Sequence, residues 1–445
     1  MHITFVQPVY RPAIGGCELY SHQLLGHLQD RHSLQVITSF NSQEEKLAYP
    51  DLWRNCLLHA RRGGEQHEFD GVPVHLISLR PWQRQLFFPV LRGHRRWERP
   101  AMALIERLLA AEMVPLFEKT DLVYAIHGGV SFLGCAAQRA ARICGVPMYF
   151  TSVLHERHGW DDELKLIGED GKPGLVGGAP YIKKIPGTYH DRYWGELVKT
   201  VDGVIAWTEH EKKILIREGV AAERIHVTGI GPTLREGGPS RLELRQRHGI
   251  GDEPVVLFLG RKHELKGIAE ILEASGAVWQ RHPDTKFVFV GPAEGSTEEI
   301  LARYANDPRV LNLPPVSDAV KSSWFSACDV FVNPSLHESF GIAFLEAWVA
   351  GRPIVGGDIP PVREISGNGE AGILVSGRSP AHIADGLIRL LADREYADRL
   401  GRIGQERVRT RYSWERIAEL TERAFGVEKT DEPGITPGLE GDSGA

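Results

Sequence analysis

The sequence predicts an α/β chain built as two facing Rossmann-like domains, each a parallel sheet covered by helices, with a cleft between them. Three observations carry this. Short apolar, β-rich runs alternate with helix-length segments through most of the chain. The alternation breaks once, between 230 and 253, where Gly231, Pro232, Gly237, Gly238 and Pro239 precede a charged stretch, and then begins again. The length, 445 residues, exceeds what one ordinary core accommodates.

In the first half, strands are expected at 2–7, 34–38, 72–77, 122–126, 148–152, 203–207 and 225–228, with helices such as 18–28 and 131–144 between them. In the second half they are expected at 255–259, 287–290, 310–313, 330–332 and 354–355, with helices from 267 and over 341–349. The domains are accordingly 1–232 and 233–410. A further helix at 413–425, within 411–426, is expected to pack back on the first domain. The tail 427–445, rich in Gly, Pro and acid, is expected to be disordered.

Composition narrows the function classes. Hydrophobic content of 42% and charged content of 25% suit a soluble globular protein. No apolar run approaches the roughly 20 residues of a membrane span. The opening, Met1 to Val6, reads as a first strand and not as a signal peptide. Five scattered cysteines without Cys-x-x-Cys spacing argue against a disulfide framework or a zinc site, so a cytoplasmic location is expected. Residues 1–230 carry 27 Lys+Arg against 26 Asp+Glu and the remainder 25 against 32, which does not suggest nucleic acid as a partner.

The chemistry concentrates in two loops of the second domain. Asn333-Pro334-Ser335-Leu336-His337-Glu338-Ser339-Phe340-Gly341 follows a buried-looking strand and opens a helix that carries Glu346 in its second turn. Backbone N–H groups at a helix start, with a glycine permitting close approach, suit an anion or a polyhydroxyl ligand. Glu338 can reach a ligand over the helix start, and Glu346 can accept from a diol such as a ribose. Taken alone, the pair reads more readily as a capping acid and a surface helix residue. The second loop is Gly260-Arg261-Lys262-His263-Glu264-Leu265-Lys266-Gly267, after the domain's first strand. Its Arg261 and Lys266 are two cations where a diphosphate would arrive. Together the loops read as a diphosphate and ribose site.

These residues resemble glycosyltransferase family 4, the large retaining family of GT-B fold. The likeness includes the E-x7-E spacing of Glu338 and Glu346 and the Gly-Arg…Lys-Gly loop. It continues through Ala350-Gly351-Arg352-Pro353 and Ile359-Pro360-Pro361-Val362-Arg363-Glu364-Ile365. It is nearly continuous over 255–375 and thinner in the first half. The resemblance implies that the second domain binds a nucleotide sugar and the first an acceptor. Glu346 would hold the donor ribose, Arg261 and Lys266 the diphosphate, and Glu338 the donor sugar, helped by the backbone amides of Ser339, Phe340 and Gly341. Gly15 and Gly16, in the loop after the first strand, would let that domain approach the phosphates. His127, at a strand end, would lie near the transferred sugar, with His155 a weaker candidate.

The implied reaction is retaining transfer from a nucleoside-diphosphate sugar to an acceptor hydroxyl. The UDP form is favoured and GDP-mannose second, and the leaving phosphate deprotonates the acceptor. No Asp-x-Asp pair stands in these motifs, so neither metal nor cofactor is expected, and the two cations would stabilise the departing diphosphate. The acceptor, whether carbohydrate, lipid-linked or a small molecule, is not identified. A basic aromatic stretch, 80–107, holds seven arginines with Trp82, Phe87, Phe88 and Trp97. It reads either as a solvated helix with aromatics in the core or as peripheral contact with the inner face of a membrane. An aromatic-rich insertion from 155 to 199 reads as acceptor-binding.

Three other readings compete. A sugar-nucleotide epimerase of GT-B architecture would share the diphosphate site but need no acceptor insertion. An oxidoreductase is disfavoured by Ile14-Gly15-Gly16-Cys17-Glu18, which is not Gly-x-Gly-x-x-Gly. A binding protein that has lost catalysis is disfavoured by the presence of both glutamates and both cations.

Overall fold

A computed structural model describes residues 1–10, 16–40, 66–91, 98–126, 132–151 and 196–427. The first half supplies β1 (His2–Val9), β2 (Ser33–Phe40), β3 (Gln66–Phe69), β4 (Val72–Leu76), β5 (Leu122–Ile126), β6 (Met148–Thr151), β7 (Gly203–Ala206) and β8 (Ile225–Val227). They form one sheet in the order β3-β4-β2-β1-β5-β6-β7-β8, parallel except for the antiparallel β3–β4 pair.

Every residue of β5 is buried, as a parallel strand covered on both faces requires. Successive residues of β1 serve opposite faces. Phe5 joins Tyr20 of α1 (Gly16–Leu28) and Tyr124, whereas Val6 joins Met102 and Phe132, from helices on the other side. Those helices are α3 (Glu98–Met113) and α4 (Phe132–Cys144), preceded by α2 (Pro81–Leu91).

The second half supplies β9 (Val255–Leu259), β10 (Lys286–Val290), β11 (Val310–Leu313), β12 (Val330–Asn333), β13 (Ile354–Gly357) and β14 (Ile373–Val375). Their order is β11-β10-β9-β12-β13-β14, all parallel. That is the doubly wound arrangement, whose winding reverses between β9 and β12. The first sheet reverses between β1 and β5. Each reversal leaves a crevice at the carboxyl ends of two neighbouring strands, and those four strands lead into the loops that the sequence singled out.

Two segments tie the halves together. One is the connection after β8. The other leads into α10 (Trp414–Ala424), which lies against α1, β7 and β8. The two run side by side. Trp414 Nε1 donates to Pro232 O at 2.7 Å, and a Cβ on Gly231 would come within 2.6 Å of the Trp414 ring. Arg31 Nε and His32 Nε2 each approach Glu422 Oε1 at 2.8 Å, fixing the far end of α10.

A further contact runs from α9 (Pro360–Ser366) to the start of α5 (Glu209–Arg217). There Glu364 accepts from the backbone N–H of Glu209 at 2.7 Å and of His210 at 3.0 Å. These are two of the orphan donors of a helix start. Burial pushes the Glu364 carboxyl up, against the opposing pull of those donors.

The structure departs from the sequence expectation at several points. β3 and β14 are additional strands: β3, Gln-His-Glu-Phe, alternates exposed and half-buried positions and carries little apolar signal, and β14 is only three residues long. Gly16 opens α1 instead of lying in the preceding loop. A tight turn at 264–266 precedes α6 (Ile268–Arg281), and Gly267 caps that helix with a φ of 74°.

Gly15, His127, His155, nearly all of the 155–199 insertion and the tail from 428 lie outside the described residues, as do 92–97 of the basic stretch. Within that stretch Phe87 is buried and Trp82 exposed. Among the described residues no helix is long and apolar enough to cross a membrane.

Candidate active site

The loop after β9 and the loop after β12 meet at the reversal of the second sheet. Leu336 N donates to Leu265 O at 2.9 Å, and a Cβ on Gly267 would sit 2.7 Å from the Pro334 ring. This joins the two chemistry-bearing segments directly. Lys266 Nζ donates to Glu338 Oε1 at 2.6 Å and to His337 O at 3.3 Å. Asn333 Nδ2 donates to the same carboxylate oxygen at 3.0 Å, while Asn333 Oδ1 is buried with no hydrogen-bond partner among the described residues. Two residues assigned from sequence to different parts of one ligand, Lys266 and Glu338, are therefore an ion pair.

The helix beyond is α8 (Ile342–Val349), with Gly341 at its cap in the left-handed region, φ 96°. Phe340 is buried edge-on against Tyr412, so what it can offer a ligand is its backbone. Glu346, one turn in, is not a surface residue: it is 3% exposed. Its Oε1 accepts from Thr233 Oγ1 at 2.6 Å, Thr233 N at 3.3 Å and Lys321 Nζ at 2.6 Å. Lys321 comes from α7 (Asp318–Ala327) and Thr233 from the connection between the sheets. Arg261 Nε lies 3.8 Å from Glu294 Oε1, both partly exposed.

The carboxyl end of the second sheet thus carries three cations, Arg261, Lys266 and Lys321, interleaved with the carboxylates Glu338 and Glu346. Lys266 and Lys321 each sit on a carboxylate, a pattern that suits a ligand with anionic and hydroxyl groups side by side. Residues 240–407 match the family model for glycosyl transferases group 1, and residues 15–231 match the glycosyl transferase 4-like domain.

A D-inositol 3-phosphate glycosyltransferase of Pseudarthrobacter chlorophenolicus is 31% identical over 312 residues, covering 67% of this chain and 70% of that protein. The chain is a family 4 glycosyltransferase. The D-inositol 3-phosphate glycosyltransferase of Paenarthrobacter aurescens is 29% identical over 375 residues, 81% of this chain and 84% of that one. Among solved structures, Anabaena HepE in complex with UDP and glucose superposes with a TM-score of 0.66 over 95% of this chain and 99% of its own, at 18% identity. That likeness shows the GT-B fold.

Two lysines beside these loops of the glycosyltransferase escaped the sequence reading. Lys262 is 2% exposed, and its Nζ donates to Asn312 Oδ1 at 2.6 Å and Leu313 O at 2.8 Å, fastening the end of β11 to the loop after β9. Burial lowers its pKa to about 8. Lys321 left one sequence signal, standing three residues before Trp324 and four before Phe325 on the buried face of its helix.

Proposed function

We propose that this enzyme moves a sugar from a nucleoside-diphosphate donor, UDP-linked first and GDP-mannose second, to an acceptor hydroxyl, with retention of configuration and without a metal. The observation that carries the reading is the Lys266–Glu338 pair across the sheet reversal, with Arg261 beside it. In this reading the diphosphate draws Lys266 away from Glu338 and engages Arg261. The Glu338 carboxylate then turns to the donor sugar, and the amides of Ser339, Phe340 and Gly341 complete the cradle. Glu346 holds the ribose. The cations offset charge as it builds on the leaving diphosphate, which takes the acceptor proton. The presence of UDP with glucose in the similar HepE structure supports a UDP donor. The names of the inositol-phosphate relatives support a phosphorylated polyol as the first acceptor to try.

A thermal-shift panel of UDP, GDP, ADP, dTDP and NAD, with EDTA present, tests the donor site. One nucleoside diphosphate at 100 times its Kd is expected to add about 2.7 kcal/mol of stability, and Glu346→Ala to abolish the shift. A response to NAD alone, or one that needs a divalent cation, would overturn the reading.

A further inference from the structure

Three donors converge on one oxygen of Glu346, and among the described residues no hydrogen bond ends on the other. Lys321 is central to this arrangement. Its Nζ reaches Glu346 Oε1 at 2.6 Å, Thr233 Oγ1 at 3.0 Å and Thr233 O at 3.3 Å. An ammonium has three protons, so all of them have an acceptor here. Thr233 Oγ1 accepts from Lys321 and donates in turn to Glu346 Oε1 at 2.6 Å. The carboxylate is buried, and a charge taken out of water needs a partner beside it.

We infer that Lys321 is a positioning residue for donor binding. With Thr233 it saturates Oε1 of Glu346, fixes the carboxylate's orientation, and leaves Oε2 as the acceptor for the nucleotide's ribose hydroxyls. This rests on the assignment of Glu346 to the ribose. It adds that the strength of the ribose contact is set from a different helix, by a residue that does not itself touch the nucleotide. A carboxylate with one oxygen fully used can accept from a ribose in one orientation only, which is the preorganisation that strong recognition of a diol needs.

The test compares UDP with 2′,3′-dideoxy-UDP, and GDP with its dideoxy form if GDP gives the larger thermal shift. Binding is measured by calorimetry on the full chain. Wild type is expected to prefer the ribonucleotide by at least tenfold, the scale of hydrogen bonds to a charged group. Lys321→Met is expected to weaken the ribonucleotide about tenfold and leave the dideoxy form within twofold, and Lys321→Arg to restore part of the preference.

Since Lys321→Met strands a buried acid, the Lys321→Met/Glu346→Gln double variant serves as a second readout. It is expected to show no less ribose preference than Glu346→Gln alone. Equal loss of both nucleotides in Lys321→Met, or no loss of either, overturns the positioning role while the ribose assignment stands. A wild type that does not distinguish the two nucleotides overturns the assignment itself.

Discussion

Glu338 meets Lys266 and Asn333 through a single oxygen, and the side chain is mostly shielded from solvent. Removing its charge has two opposed effects. Lys266 loses its resident partner and becomes more available to an anion, while a donor sugar loses its carboxylate. Glu338→Gln is therefore expected to keep or raise affinity for the nucleoside diphosphate and to lower kcat about 100-fold, the scale of losing one preorganised electrostatic contact. Calorimetry beside initial rates checks this, and a parallel fall in both would reduce Glu338 to a loop support. Glu338, Lys266 and Arg261 were legible in the sequence because each lies within a few positions of a glycine that marks a loop at a strand end. The partners of Glu346 were not. Thr233 is 113 positions from Glu346 and 88 from Lys321, and only the closure of the second sheet brings them together.

The loop after β12 is held in shape by backbone crowding. A Cβ on Gly357, at the end of β13, would lie 2.1 Å from Ser335 O, and one on Gly377 would lie 2.3 Å from Pro334 O. Neither backbone oxygen can swing aside as a side chain would. Gly357→Ala is expected to cost about 3 kcal/mol and to reduce nucleotide affinity by displacing the loop. A denaturant melt and a binding isotherm on the same sample check both parts, and an unchanged melt would show that the loop is looser than this packing. At this scale the sequence was most readable where strands are buried on both faces. Val255-Val256-Leu257-Phe258-Leu259 is an uninterrupted apolar run and became β9 with those bounds. β3 escaped because an edge strand with polar residues at most positions carries no such run.

Across the molecule, the two halves share a core that the C-terminal helix completes. Trp414 is buried, stacks on His27, packs against Tyr20 and reaches Pro232, so one side chain touches α1 and the inter-sheet connection together. Trp414→Ala is expected to cost about 3–5 kcal/mol and to broaden the unfolding transition, as the coupling between the halves weakens. Differential scanning calorimetry reads both effects, and a sharp transition near the wild-type temperature would show that the two halves are coupled elsewhere. A helix at 413–425 could be read from its amphipathic pattern. That it packs back on the first domain was expected too; which elements receive it was not, since the contacting residues are spread over α1, β7 and β8.

The adjacency of the two crossings also limits how the halves can move. Gly229 and Gly231 lie against Tyr412, Ile417 and Trp414, so both covalent tethers pass through one narrow region. Two tethers at one place form a common pivot, so any relative movement of the halves would be least there and greatest at the edge farthest from it. Thr233, two residues beyond Gly231, sits beside that pivot, and Glu346, bonded to it, would shift little. Glu364, bonded to the start of α5, links the halves at a further point.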